Sequence, residues 1–216
     1  MTITYPIDLL ADWPGWATLD LSYGDETSGQ AGGQIRVKSR RAPLWTMQAT
    51  TRDLEPNELR RWKARLAALE NGQKTFWGYD SASFYPAAYP HGSWPTGGAF
   101  NGEAAAISAL PSTIALRLKA LPASFKITTG DHIAFSYGSG PLYALHQVME
   151  DVVADGLGVT PAFEVRPPIR QGAAINNVVK VKRPACLMMI VPGSVSTPAN
   201  LNARGPISFN AIQVIG

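Results

Sequence analysis

Residues able to do chemistry are few in this sequence, and they are scattered. His91, His132 and His146, with Asp131 and Glu150, offer imidazole and carboxylate ligands of the kind zinc takes. Their spacing matches no zinc framework, so a metal site is not expected, although His132 and His146 fall in adjacent predicted strands. Glu150, Asp151 and Asp155 form an acidic group of the sort that serves acid–base work or binds calcium. Asp155-Gly156 is a hairpin dipeptide, however, and a turn accounts for these carboxylates better. Cys186, the single cysteine, sits in the apolar run Cys186-Leu-Met-Met-Ile-Val, where a buried, inert thiol is expected. There is no Walker motif, nucleotide-binding glycine signature, His-Glu-x-x-His, Cys-x-x-Cys or Gly-x-Ser-x-Gly. The reading is a non-enzyme with no catalytic residue, cofactor or metal.

Two other groups invite binding rather than catalysis. Phe76, Trp77, Tyr79, Phe84, Tyr85, Tyr89 and Trp94 place seven aromatics within nineteen residues. Exposed, they would stack on sugars or on nucleic-acid bases; buried, they would glue two modules together, which is the preferred reading. Trp77, Tyr79, Tyr85, Tyr89 and Trp94 are the candidates for either role. The second group is charged. Residues 1–30 hold five acidic residues and no Lys or Arg, whereas residues 31–74 hold ten basic residues against four acidic ones. A basic stretch can bind phosphates, but on a hairpin and a helix such charges mostly mark solvated faces. Arg36, Lys38, Arg40 and Arg41 are candidates for charge pairing between neighbouring subunits.

The elements that must carry these residues are mostly strands. Trp16–Tyr23 alternates imperfectly, a Gly-rich turn follows at 28–33, and Gln34–Lys38 extends beyond it. Leu44–Thr51 alternates cleanly, setting Trp45, Met47 and Ala49 on one face. One helix follows over 56–71: Pro56 suits its first turn, Glu58 its positive dipole end, and Asn71-Gly72 its stop. Leu59, Trp62, Leu66 and Leu69 form its apolar stripe. After a short strand near 74–79 comes an irregular run, 80–98, that looks like a crossing between domains. Short strands are then expected at 114–119, 132–137, 142–148, 158–165 and 178–181, a spacing that suits a small barrel or sandwich. Two more lie at 187–192 and 207–215.

With 45% hydrophobic residues in 216, the chain can bury a core, and it is globular rather than disordered. Its charged fraction is 16%, below the usual ~25%, which suits a subunit of a large assembly. No signal peptide is evident and no stretch approaches the ~20 apolar residues of a membrane span.

Three segments, in order, resemble phage minor tail proteins of the siphophage distal-tail-protein family. The first is Leu54-Glu-Pro-Asn-Glu-Leu-Arg-Arg-Trp-Lys-Ala-Arg-Leu-Ala-Ala-Leu-Glu-Asn-Gly-Gln-Lys-Thr-Phe, similar to that family's single helix with its Gly turn and strand. The second comprises Thr129-Gly-Asp-His-Ile-Ala-Phe, Leu142-Tyr-Ala-Leu-His-Gln-Val and Ala154-Asp-Gly-Leu-Gly-Val, ending in Arg166-Pro-Pro-Ile-Arg. The third is Val181-Lys-Arg-Pro-Ala-Cys-Leu-Met-Met with the closing Ile207-Ser-Phe-Asn-Ala-Ile-Gln-Val-Ile. The resemblance spans most of residues 15–216; the aromatic-rich 76–94 stretch departs from it.

The resemblance implies a mainly β fold with one α-helix. Residues 1–80 with 181–216 would form a ring-forming β-sandwich domain, and 95–180 an inserted barrel, OB-like or galectin-like. It implies a structural component of a long-tailed phage tail tip, made in the bacterial cytoplasm and carried in the virion. As a homo-oligomeric ring, commonly a hexamer, it would join the tail tube protein to the tail hub protein, with the tape measure protein a further candidate partner. No membrane or nucleic-acid partner is expected. The alternative reading is a carbohydrate- or nucleic-acid-binding β-barrel module.

Overall fold

The computed structural model describes residues 3–29, 32–95, 100–139 and 142–215. The chain forms β1 (Gly15–Ser22), β2 (Asp25–Gly29), β3 (Ile35–Ser39) and β4 (Leu44–Thr51), then the helix α1 (Pro56–Ala67) and β5 (Phe76–Gly78). Next come β6 (Ala105–Ser112), β7 (Ala115–Lys119), β8 (Lys126–Ile127), β9 (His132–Tyr137), β10 (Leu142–Val148), β11 (Val152–Val153), β12 (Phe163–Arg166) and β13 (Val178–Lys180). The strands β14 (Cys186–Ile190) and β15 (Ser208–Gln213) close the sequence of elements. The protein is mainly β, with a single α-helix among the described residues and a small closed barrel.

One five-stranded antiparallel sheet runs β1-β4-β15-β14-β5. The alternation read in β4 sets its register: Trp45, Met47, Ala49 and Thr51 are buried, and the residues between them are less so. Cross-strand pairing puts Ala17, Ala49 and Phe209 in one row, and Met47, Ala211 and Ile190 in another. The helix α1 covers this face with Leu59, Trp62 and Leu66, three of the four residues of its predicted stripe. Trp13 from the N-terminal segment wedges between them, edge-on to Trp62 at 5.0 Å and to Phe209 at 5.3 Å.

The regular α-helix is shorter than the expected 56–71. It ends at Ala67, and a 3₁₀ turn over Glu70–Gly72 follows, with Asn71 and Gly72 at positive φ. That turn drives Leu69 fully into the core. It also brings Gly72 so close to the Ile190 carbonyl that a Cβ would lie 2.5 Å from it, so only glycine fits.

Six strands, β10-β12-β7-β6-β13-β9, close into a barrel, one more than the five of an oligonucleotide/oligosaccharide-binding fold. The strand expected over 158–165 is only β12, because Gly158, at φ 74, lies against the Leu121 carbonyl in a turn. Neither β2 nor β6 was expected from the sequence. β2 and β3 pair only with each other among the described residues and form a hairpin exposed along its length.

Sheet and barrel share the β9–β10 ribbon. Ile133, Phe135, Ala144 and Val148 face the barrel core, whereas Ala134 and Leu145 belong to the core beneath the sheet. Trp45 reaches across that boundary, its indole N–H donating to the Leu145 carbonyl at 2.7 Å, and its ring lies against His132 at 5.4 Å. Replacing Trp45 with Phe keeps most of the apolar area but strips the buried carbonyl of this donor. The expected loss is ~1–3 kcal/mol of unfolding free energy, read as a lower urea midpoint at unchanged m-value; an unchanged midpoint would remove this bond from the account.

Candidate functional site

The four arginine and lysine candidates divide by position. Arg36 and Lys38 lie on β3, exposed, and neither side chain meets a carboxylate among the described residues. Arg40 pairs with Glu26 across the hairpin, and Arg41 folds over Gly24, with Nη2 3.3 Å from the Ser22 hydroxyl. The alternate β3 side chains Ile35 and Val37 are 70% and 60% exposed. The hairpin thus has one apolar and one charged face, and the described residues of its own chain cover neither.

The aromatics form a chain of contacts from one core to the other. Phe76 and Tyr79 are buried in the sheet's core, where Tyr79 shares a hydrogen bond with Asp8 at 3.3 Å; burial, together with the Asp8 charge, pushes its phenol up to about 12. Tyr79 meets Phe84 at 6.0 Å, Phe84 meets Tyr85 at 5.0 Å, and Tyr85 meets Trp94 at 6.1 Å. Trp94 and Tyr89 then pack on Phe125 in the barrel core, and the Tyr89 hydroxyl accepts from the Lys126 N–H at 2.8 Å. Trp77 stands apart. It lies on the other face of β5 from Phe76 and Gly78, half-buried, edge-on to Tyr143 at 4.7 Å.

That Trp77–Tyr143 pair walls a groove of about 260 Å³ where the sheet edge meets the barrel. Antiparallel pairing sets Ala134 opposite Lys180, and Ser136 opposite Tyr143, so these side chains share the barrel's outer face. Glu103, Lys182 and Arg183 complete the polar lining. Arg183 is committed to Asp8 at 2.7 Å and lies over the Tyr79 ring. Lys180 and Lys182 have no carboxylate partner among the described residues, and Glu103 is the only acid in the lining. Of this set only Trp77 was singled out from sequence. The basic run at 180–183 was a visible signal, but its neighbours come from three distant segments.

The histidines do not converge. Register sets His146 opposite Ile133 and His132 opposite Gln147, so the two rings lie on opposite faces of the β9–β10 ribbon. His132 faces Trp45 and Ser83, while His146 is buried in the barrel, stacked on Phe135 at 5.2 Å. His91 is exposed on a separate turn. Among the described residues no three His, Cys, Asp or Glu side chains gather. The three carboxylates of the acidic group bind backbone: Glu150 accepts from the Glu164 N–H, Asp151 from that of Thr129, and Asp155 from those of Leu157 and Val159. Asp131 braces the crossing segment by accepting from the Ala87 N–H at 2.8 Å. Cys186 is fully buried in β14, and burial pushes its thiol up to about 12.

Burial holds His146 neutral and takes it down to about 4, with Arg170 adding to the shift and a hydrogen-bonding contact to the Pro167 carbonyl opposing it. Burial also lowers His132. The folded value lies below the unfolded one, so this stability is complete above pH 6.5 and is lost as pH falls toward 4. At 1.36 kcal/mol per unit, His146 accounts for about 3 kcal/mol. Glu58 and Asp151, held low by Arg52 and by the Thr129 N–H, lose stability only below their ordinary 4.5 and 3.8, so the range 6.5–4.5 reports the histidines. Urea unfolding across that range should show a falling free energy, with a shallower slope in His146→Leu. Equal slopes would mean that the imidazole is not desolvated.

In comparison with known proteins, no family model and no curated protein matches the chain.

Proposed function

We propose that this chain is a structural, non-enzymatic component of a long-tailed phage tail tip, forming a ring that connects the tail tube to the hub or adsorption apparatus. The observation that carries this reading is the β2–β3 hairpin, whose two strands are exposed along their length yet present Ile35 and Val37 on one face. A protruding ribbon whose edges and apolar face are unpaired is a liability in a monomer and a joint in an assembly. Contacts of one surface with a different surface on the next copy close into rings when the rotation allows, and a six-fold ring is the form we favour. Arg36 and Lys38 would then meet acidic groups of the neighbour, for which the N-terminal segment, rich in Asp, is a source. The order of the helix, barrel and closing segments, which resembles distal tail proteins, supports the same assignment. The tail tube protein and the hub protein are the proposed axial partners, and the tape measure protein a third.

Immunogold electron microscopy with an antibody against residues 100–170 should place gold at the tail end far from the capsid. Gold along the whole tail would make the chain a tube protein instead, and intact, accessible tips without gold would overturn the virion assignment. The Ile35→Asp, Val37→Asp double variant should melt within a few degrees of the parent, since exposed substitutions change stability by ~0.5 kcal/mol. Complemented particles carrying it should lose the tip label. Normal incorporation would take the hairpin out of the joint.

A further inference from the structure

We propose that the groove between β5 and the outer face of β13-β9-β10 binds a sugar ring carrying an anionic substituent, a carboxylate or a phosphate. This goes beyond the ring-building role and does not depend on it. The walls are aromatic: Trp77 and Tyr143 meet edge to face at 4.7 Å and are both half-buried, so each ring has a surface still open to the groove. Such faces stack on the C–H side of a pyranose. The lining is also cationic, with Lys180 and Lys182 free of carboxylate partners among the described residues. Ammonium groups are point donors suited to carboxylate or phosphate oxygens. Glu103 and Ser136 add an acceptor and a hydroxyl for the ring's own hydroxyls. Apolar walls with a few convergent polar groups are the general form of a small-molecule site.

Size and charge choose among ligands. Pockets for drug-sized molecules run to ~300–1,000 Å³, so about 260 Å³ admits one sugar residue or the end of a chain. A neutral sugar gives the two lysines nothing to neutralise. A single-stranded nucleic acid needs a basic track with several stacking platforms in succession. Here the cations of β3 and α1 contribute nothing to the lining, and one aromatic pair offers its rings, because the ring of the third lining aromatic, Phe135, packs into the barrel core.

Ligand-observed saturation-transfer NMR on the full chain would use four probes: methyl glucuronide, glucose 6-phosphate, methyl glucoside and an oligothymidylate. Glucuronide or glucose 6-phosphate should bind at least about tenfold more tightly than the glucoside, the size of a charge-assisted hydrogen bond. Which of the two binds better identifies the anion. The Lys180→Ala, Lys182→Ala variant alters one exposed and one half-buried side chain and should keep the parent's melting temperature while its affinity falls about tenfold. Tyr143→Ala, checked for an intact melt, should abolish binding of both acidic probes. Equal binding of the glucoside, acidic-probe binding that survives in the double lysine variant, or no binding of either acidic probe would overturn the proposal. Tighter binding of oligothymidylate than of any sugar would replace it with a nucleic-acid site.

Discussion

Over His132–Phe135 and Ala144–His146 the β9–β10 ribbon is buried on both of its faces, and the remaining architecture is arranged around that double burial. Its inner residues, Ile133, Phe135, Ala144 and His146, fill the barrel, while Ala134, Leu145 and His132 close the end of the core beneath the sheet. A strand with no wet face cannot carry a charge there, and its outward carbonyls need partners that water does not supply. The Trp45 indole supplies one. Joints between units of one chain are usually polar and slide. Here the shared apolar ribbon, the aromatic chain from Tyr79 to Phe125 and the Asp131 clamp on Ala87 bind the same two bodies from different sides.

How much of this was legible depends on whether a residue's environment is set by its neighbours in sequence. The stripe Leu59, Trp62 and Leu66 and the alternation of Trp45, Met47 and Ala49 are local patterns, and both were readable. β6 was not, because Ala-Ala-Ile-Ser-Ala-Leu-Pro-Ser is poor in β-branched residues and its pairing with β7 shifts register twice, at Ile107/Ala109 and Ala109/Ser112. β2 was hidden for the opposite reason: every side chain is exposed, so no face imposes a period. The groove was least legible of all. Trp77 stood out as an aromatic, but Tyr143 and Lys180 become its neighbours only through strand register across three segments. The opposed His132 and His146 follow the same rule, since adjacency of strands says nothing about which side of the wall a ring takes.

Both surfaces offered for interaction lie off the two cores. The hairpin projects from the chain between β1 and β4, and the groove uses the outer face of the barrel where it meets an edge strand. Substitution at either place leaves the buried rows of Phe209, Met47 and Ile190 untouched. The low overall charge fits this economy: cations are concentrated at a few exposed places, and the broad apolar interior needs none.

The place of β15 sets an order on synthesis. It is a central strand, flanked by β4 on one side and β14 on the other, yet in the chain it comes after every other strand described. Thr50 finds its partner Ser208 only after the whole barrel has emerged. A nascent chain that stops short of residue 208 therefore holds every barrel strand but a sheet split down its middle, with β4 and β14 as raw edges. The barrel is the part that can condense while translation continues, and the sheet is the part that must wait, exposed to chaperones and to other copies until its central strand slots in.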